Sequence, residues 1–238
     1  MKIAGYKIKA LFIKDIKNLF RSPNVAFMLL LPIGFAFLYT HIMEMPDEAG
    51  MYVFNLCTIL NIGVVPISIV AMSIAEEKEK NTLRTLMLSN VSAVEFMTAK
   101  LVLGIVMFLG VNVLVYFICG VDIASFPWIM LVIFITSLSA LMFGAVIGLI
   151  SKDQMATGYY STPVMLLFMA PIFGMMSESI SKITQFIPTQ SMMWLQGIES
   201  ASDLLTGKGL FSIAVIAAWM IISLIVFKFV YKKNSLDN

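Results

Sequence analysis

The side chains most able to form charged contacts are concentrated in one short segment, residues 76–88. Six of its thirteen residues are ionised: Glu76, Glu77, Lys78, Glu79, Lys80 and Arg84. Three apolar residues, Leu83, Leu86 and Met87, recur at i, i+3 and i+4, which places them on one face of a short helix. Because this face lies between long apolar runs and has no lipid to contact, we interpret it as a surface for another protein. The alternative is a solvated loop that joins two membrane spans.

The sequence lacks the patterns that would make the chain itself an enzyme. Its one Gly-Lys pair, Gly207-Lys208, is followed by glycine and has no glycine at position 202, so it is not a phosphate-binding P-loop. With His41 as the single histidine, a histidine-based metal site or catalytic triad is excluded. HExxH, CxxC and GxSxG patterns are also absent. We therefore expect no catalytic residue, no bound metal and no cofactor in this chain.

Composition places these residues in a membrane protein. Of the 238 residues, 60% are hydrophobic and 13% charged, and the mean hydropathy is +0.93, which is too apolar for a soluble domain. Helical runs of this length can cross the roughly 30 Å hydrocarbon core of a bilayer. We predict a single all-α transmembrane domain, residues 1–238, with six spans at residues 25–43, 52–75, 101–121, 127–150, 161–177 and 210–231.

Charge placement predicts how the spans are oriented. Fourteen of the 16 Lys and Arg residues fall on the side that holds both chain ends, and only Lys182 and Lys208 fall on the other, whereas acidic residues divide evenly. By the positive-inside rule both termini are cytoplasmic. The net charge of +2 thus reflects orientation in the membrane and does not indicate nucleic-acid binding.

Sulfur-containing residues leave two alternatives open on the outer side. Cys57 and Cys119 fall near the outer ends of their spans, so they could form a disulfide, although burial as small apolar residues is the simpler interpretation. Several methionines also gather there, and thioethers either ligate Cu(I) or fill gaps in apolar surfaces. They are Met43, Met45, Met51, Met175, Met176, Met192 and Met193.

Residues 1–21 are predicted to form an amphipathic helix in the plane of the lipid headgroups. Lysines and Arg21 lie opposite an apolar face that consists of Ile8, Phe12, Ile16, Leu19 and Phe20. The helix either anchors the chain or contacts a cytoplasmic partner as well. Ser22 and Pro23 match the N-cap and first position of the following span.

Two further segments have a predicted structure of their own. Within residues 76–92 a helix should run from Thr82 to Ser89 and stop at Asn90, after which Ser92 and Glu95 form a capping box and Lys100 reaches the water boundary. Residues 178–209 are external yet rich in apolar side chains, and Pro188 divides them. We expect two helices there that dip back into the outer leaflet and pack on protein.

The middle of each predicted span contains no Asp, Glu, Lys or Arg. This argues against a carrier driven by a proton relay, which would need an ionisable residue there, but leaves sodium sites built from hydroxyls and carbonyls open. We expect most of the polar side chains inside the membrane to form hydrogen bonds between helices. The candidates for lining a substrate pathway are Asn55, Asn61, Ser68 and Thr162.

Residues 77–92, Glu-Lys-Glu-Lys-Asn-Thr-Leu-Arg-Thr-Leu-Met-Leu-Ser-Asn-Val-Ser, resemble the signature of the type-2 ABC exporter permeases. That signature reads roughly E-K-E-x-G-T-L-x-x-L and continues into a turn of small residues, proline and serine. Asn81 stands where the family usually has glycine, and Asn90 where it often has proline. Both substitutions suit turns, since asparagine tolerates a left-handed backbone. Residues 178–209 are similar to the family's external re-entrant helices.

The resemblance implies a division of labour among several chains. Two permease chains, this one and a second copy or a paralogue, would form the membrane core, and two separate ABC ATPase subunits would bind ATP and magnesium below it. The coupling helix would dock into the ATPase through Leu83, Leu86 and Met87, with Arg84 and the acids Glu76, Glu77 and Glu79 fixing the register. Spans one, two and five would face the dimer axis, in a bacterial cytoplasmic membrane.

Two other classes of protein remain as alternatives at this stage. A secondary carrier or channel would transport with no ATPase present. A non-transporting immunity or sensor protein would keep its phenotype when the ATPase is inactivated. Drug-like amphiphiles, peptides, lipid-linked glycans and ions all remain candidate substrates.

Overall fold

The computed structural model describes residues 5–43, 49–174, 178–198 and 201–233. Regular structure in these ranges is helical. The α-helices are α1 (Gly5–Leu19), α2 (Pro23–Phe37), α3 (Gly50–Glu79), α4 (Thr82–Leu88), α5 (Ala93–Ile118), α6 (Phe126–Ile150), α7 (Gln154–Met169), α8 (Pro171–Gly174), α9 (Glu178–Thr184), α10 (Pro188–Gln196) and α11 (Gly207–Lys233). A π-helical turn at Leu38–Ile42 extends α2, and short 3₁₀ turns lie at Ile123–Ser125 and Ala201–Leu205.

Five of the described helical segments are long and apolar enough to cross a bilayer. They are Pro23–Ile42, Gly50–Glu79, Ala93–Ile118, Ile123–Ile150 and Gly207–Lys233. The all-helical membrane class is thus confirmed, whereas the count of six spans is not. The predicted span at 161–177 differs most: α7 begins earlier, at Gln154, and has 16 residues. It ends before Pro171, which has no N–H to donate to the helical ladder.

Helix α3 forms the centre of the bundle and packs against α2, α5, α6 and α7. Most of its residues are buried, which explains why it is apolar on all sides. Two glycines of α6 allow a close crossing with α3. A Cβ atom at Gly144 would lie 2.8 Å from the Ile67 carbonyl oxygen, and one at Gly148 would lie 2.8 Å from the Ile74 Cβ. Small residues of this kind let two membrane helices approach each other closely.

Helix α1 packs against α5, with Leu11, Asp15 and Leu19 buried in the contact. The face that packs on protein differs from the predicted apolar face, since it includes Asp15 while Phe20 is exposed. The predicted contact of the apolar face with lipid stays a prediction.

Helix α9 packs on α8, and α10 packs on α6 and α11, while the predicted return of these helices into the outer leaflet stays a prediction. The indole N–H of Trp219 donates to the Phe186 carbonyl oxygen at 2.7 Å. Trp219 lies twelve residues into α11, about 18 Å along the helix from its start. The hydroxyl of Thr189 donates to the Phe168 carbonyl oxygen at 2.7 Å. The indole N–H of Trp128 donates to the Leu195 carbonyl oxygen at 2.8 Å. The bond from Trp219 thus holds the turn between α9 and α10 beside the middle of α11.

Polar side chains within the bundle form fewer bonds between helices than expected. Asn61 donates across to the Phe108 carbonyl oxygen of α5. Apart from that of Thr189, many hydroxyls bond to carbonyl oxygens of their own helix three or four residues earlier, as Thr136 does to Val132 and Ser139 to Thr136. A Ser or Thr hydroxyl reaches its own helix with little loss of freedom, so no partner helix is needed. Cys57 and Cys119 are both free and buried, as the simpler interpretation predicted.

Candidate functional site

Helix α4 is a separate element between two asparagines in the left-handed conformation. The φ angles are 53° at Asn81 and 59° at Asn90. Past Asn90, the Val91 N–H donates to the Leu86 carbonyl oxygen at 3.2 Å, the bond that typically closes a helix after a left-handed residue. The predicted helix boundaries and the turn role of both asparagines are confirmed. The acids Glu76, Glu77 and Glu79, however, belong to the last turns of α3 and not to a segment separate from it.

A capping box begins the next helix, as predicted. The Ser92 hydroxyl accepts from the Glu95 backbone N–H at 3.2 Å, and the Glu95 carboxylate accepts from the Ser92 N–H at 2.9 Å. Helix α5 therefore begins at Ala93, well before the predicted start of its span at residue 101.

Four side chains form what we call the charge cluster: the buried Asp15, Glu77 and Lys100, and Lys14, whose side chain is 39% exposed. The Lys100 ammonium lies 2.8 Å from Asp15 Oδ2 and 3.3 Å from Glu77 Oε1, and Lys14 also pairs with Glu77. The side chain of Lys100 is 1% exposed, and those of Asp15 and Glu77 are both 4% exposed. The prediction that Lys100 reaches the water boundary is thus wrong, because α1 covers it.

The cluster is electrically balanced, with two ammonium groups and two carboxylates. Burial raises the pKa of the Asp15 carboxyl above its ordinary value, and the adjacent Lys100 ammonium opposes this shift. Lys100 also lies 5.1 Å from the centre of the Phe96 ring, an arrangement that favours a cation. Each charge therefore depends on its neighbours, and removal of one partner would leave another buried and unpaired.

The α4 segment, residues 82–90, is held at its start by Glu77 of the charge cluster and at its end by Lys7 of α1. At the start, the Thr82 hydroxyl donates to the Glu77 carboxylate and lies 3.3 Å from the Glu77 carbonyl oxygen. At the end, the Lys7 ammonium donates to the Asn90 carbonyl oxygen at 2.5 Å and lies 3.9 Å from the Glu95 carboxylate. Helix α1 thus holds the two ends of the segment with two lysines, Lys14 and Lys7, which lie two turns apart on it.

The other charged residues at the end of α3 contact neighbouring helices. Lys78 donates to carbonyl oxygens at the end of α6, including the Leu149 oxygen at 2.7 Å. A positive charge is favourable there, because the C-terminus is the negative end of the helix dipole. Glu79 accepts from the Gln154 N–H (3.0 Å) at the start of α7. Glu76 pairs with Lys80, and this hydrogen bond raises the pKa of Lys80. The charged run therefore ties α1, α6 and α7 to α3.

Of the predicted docking residues on α4, the structure describes the side chain of Leu86. Leu86 is half-buried and packs with Val91 against a cluster that contains Phe96. The side chains of Leu83, Arg84 and Met87 lie outside the part of the structure that is described. Leu88 is 78% exposed, and the sequence pattern missed it because it lies outside the i, i+3, i+4 stripe.

The four candidates for a substrate pathway do not converge on one site. Asn61 and Asn112 both donate to the Phe108 carbonyl oxygen, between α3 and α5. The side-chain oxygens of Asn55 and Ser68 are buried, with no hydrogen-bond partner among the described residues. Thr162 is exposed on α7 and bonds to the Gly158 carbonyl oxygen of its own helix. Their role in transport stays a prediction.

Sequence reasoning missed the partners in the charge cluster. One signal was available: Asp15 is the only acidic residue in the first 21, and it lies four residues from both Leu11 and Leu19, on the buried stripe. A charge on an apolar helix face indicates a buried partner. The spacing could not identify Lys100, which is 85 residues away.

Comparison with known protein families agrees with this architecture of apolar helices joined by a short polar helix. The sequence matches the family described as ABC-2 family transporter protein over residues 36–231. The chain belongs to this family, and it is a multi-pass membrane protein and an ABC transporter permease. Members are typically non-catalytic membrane components that work with an ABC ATPase. The chain has no significant match among curated proteins. Among its described residues, no group of three or more His, Cys, Asp or Glu could hold a metal ion.

Proposed function

We propose that this chain is the permease of an ATP-driven exporter and that a separate ATPase subunit docks on α4. The observation that carries the proposal is α4 itself. It is a short helix between two long apolar helices, set off by left-handed residues at both ends, and it exposes Leu88. Because members of the family work with an ABC ATPase, an exposed leucine on a short helix that joins two membrane spans is a candidate contact for that subunit. ATP and magnesium would be bound by that partner.

The contacts of α4 support a route by which ATPase movement would reach the membrane helices. A shift of α4 acts on Thr82 and Asn90, which are bonded to Glu77 and Lys7. Glu77 in turn pairs with Lys100 of α5. Because buried ion pairs tolerate little change in distance, α1, α3, α4 and α5 would move as a unit. In this proposal Glu77 acts inside the permease, while Leu88 and the α4 residues Leu83, Arg84 and Met87 contact the ATPase.

The second proposal concerns assembly, with two permease chains and two ATPase subunits. Helix α2 is mostly exposed in a single chain, and its large side chains Phe27 and Leu30 are 67% and 62% exposed. Such a face requires lipid or a second copy or paralogue.

We also propose that α7 and α8 together make the sixth crossing, since an even number of spans places both termini on the lysine-rich cytoplasmic side.

Cysteine labelling tests this topology. In a background without Cys57 and Cys119, a membrane-impermeant maleimide added to intact cells should label cysteines at positions 47 and 200, which lie outside the described residues, and should leave position 85 unlabelled. Thr85 is exposed in the structure, so a cysteine there should react once the cells are permeabilised. Labelling of position 85 in intact cells would overturn the proposed orientation.

Co-purification tests the function. The tagged full-length chain, isolated from its native membrane in mild detergent, should retain an ATPase subunit that carries a P-loop. Efflux by cells that contain both chains should stop when the P-loop lysine of the ATPase is replaced. Transport that continues without the ATPase would instead identify a secondary carrier or channel. A phenotype that persists when efflux is lost would identify an immunity or sensor protein.

A further inference from the structure

An open cavity of about 470 Å³ lies between α9, α10 and the beginning of α11. Its volume is within the range of small-molecule sites. Ammonium, amide, hydroxyl and aromatic groups line it, among them those of Lys182, Gln185, Ser191, Trp194, Lys208 and Phe211. The docking and pathway residues discussed above do not contribute to it. It is therefore separate from the α4 segment and from the charge cluster.

The ionised side chains among the described lining of this cavity are all positive. Lys182 and Lys208 are the only basic residues between positions 154 and 227, and both line it. Its described lining includes no Asp or Glu, and neither lysine forms an ion pair with a residue that the structure describes. Gly207, the first residue of the 27-residue helix α11, lines it too, so the positive end of that helix dipole points to the same place.

A buried hydroxyl in the wall of the cavity has no partner in the described protein. Ser191 lines the cavity and is 3% exposed, yet its Oγ has no hydrogen-bond partner among the described residues. Buried side-chain hydroxyls in folded proteins almost always have a partner. Because this Oγ has almost no accessible surface, a ligand oxygen would reach it after a change of the Ser191 rotamer.

Next to these polar groups is an exposed apolar surface. The rings of Phe186 and Phe211 are in contact, with centres 5.8 Å apart, and Phe186 and Ile183 are 58% and 73% exposed. A ligand that fills the cavity and covers this surface must be anionic at one end and apolar at the other.

We propose that the cavity binds the phosphate-bearing headgroup of an anionic amphiphile. The two ammonium groups and the N-terminus of α11 would bind the phosphate oxygens, and the acyl chain would cover Ile183, Phe186 and Phe211. The proposal does not depend on ATPase docking, because binding can be measured on the permease alone.

The test uses the full-length chain in dodecyl maltoside and native mass spectrometry of bound lipid. Dioleoyl phosphatidic acid should bind with saturation, and more tightly than dioleoyl phosphatidylcholine, whose choline group the lysines repel. The double variant Lys182→Gln/Lys208→Gln should lose affinity for phosphatidic acid by about ten-fold or more, because two charge-assisted hydrogen bonds are removed. The variant Lys182→Arg/Lys208→Arg should retain most of the affinity.

Two controls make the outcome decisive. Lys152→Gln, which removes an exposed lysine outside the cavity, should leave phosphatidic acid binding unchanged. All variants should elute as a single species and unfold at the wild-type temperature without lipid. Equal binding of phosphatidic acid by the wild type and the double Gln variant would overturn the proposal. Displacement of the lipid by an equal concentration of inorganic phosphate would also overturn it, by identifying a site for a soluble anion.

Discussion

Replacement of Lys100 by methionine is expected to destabilise the protein by about 3–5 kcal/mol, the usual cost of removing one partner from a buried ion pair. The variant would leave Asp15 with no direct partner among the described residues, and Glu77 with Lys14 as its one remaining ammonium partner. Solvent has little access to either carboxylate in place of the ammonium, since both side chains are 4% exposed. The midpoint of thermal unfolding in detergent should fall by on the order of 10 °C.

Two further variants separate the loss of pairing from the loss of a lysine in general. Lys152→Met removes an exposed lysine and should leave the midpoint unchanged. Lys100→Met combined with Asp15→Asn should recover much of the loss, because the amide removes the unpaired charge while keeping the shape. An unchanged midpoint in Lys100→Met, or no recovery in the double variant, would contradict the charge cluster described above.

Leu88→Asp is expected to weaken ATPase binding by about ten-fold or more. Burial of a leucine side chain in an interface contributes roughly 1.5–3 kcal/mol, and an aspartate there adds a desolvation penalty. Because Leu88 is 78% exposed in the permease, the substitution should not affect insertion or folding. The ATPase that co-purifies with the tagged chain, and its substrate-stimulated hydrolysis, measure the effect.

The matched control is Leu205→Asp, because Leu205 is 77% exposed in the segment between α10 and α11, far along the chain from α4. This variant should keep its ATPase. The double variant Leu83→Asp/Leu86→Asp should lose the ATPase as well, but since Leu86 also packs against the cluster that contains Phe96, its thermal midpoint must be measured alongside. Normal ATPase binding and hydrolysis in both Leu88→Asp and the double variant would exclude α4 as the docking element.

Several local features could be predicted from the sequence because neighbouring residues determine them. The limits of α4 follow from Asn81 and Asn90, whose side chains tolerate the left-handed backbone that the turns require. The capping box follows from the three-residue spacing of Ser92 and Glu95. The membrane class follows from the length and apolarity of the runs alone, since a bilayer leaves few structures that satisfy the backbone.

What only the tertiary structure decided is which distant groups meet. The charged run at the end of α3 predicts a surface that faces a partner, yet the structure directs Glu77 inward to Lys100 and Lys78 to the end of α6. Likewise, Lys182 and Lys208 are unremarkable in the sequence and acquire a meaning only because α9 and α11 bring them to one cavity. Charges act through space and have no characteristic spacing along the chain. The partners of each charge were therefore decided by the packing, whereas the helices and their turns could be predicted from the sequence.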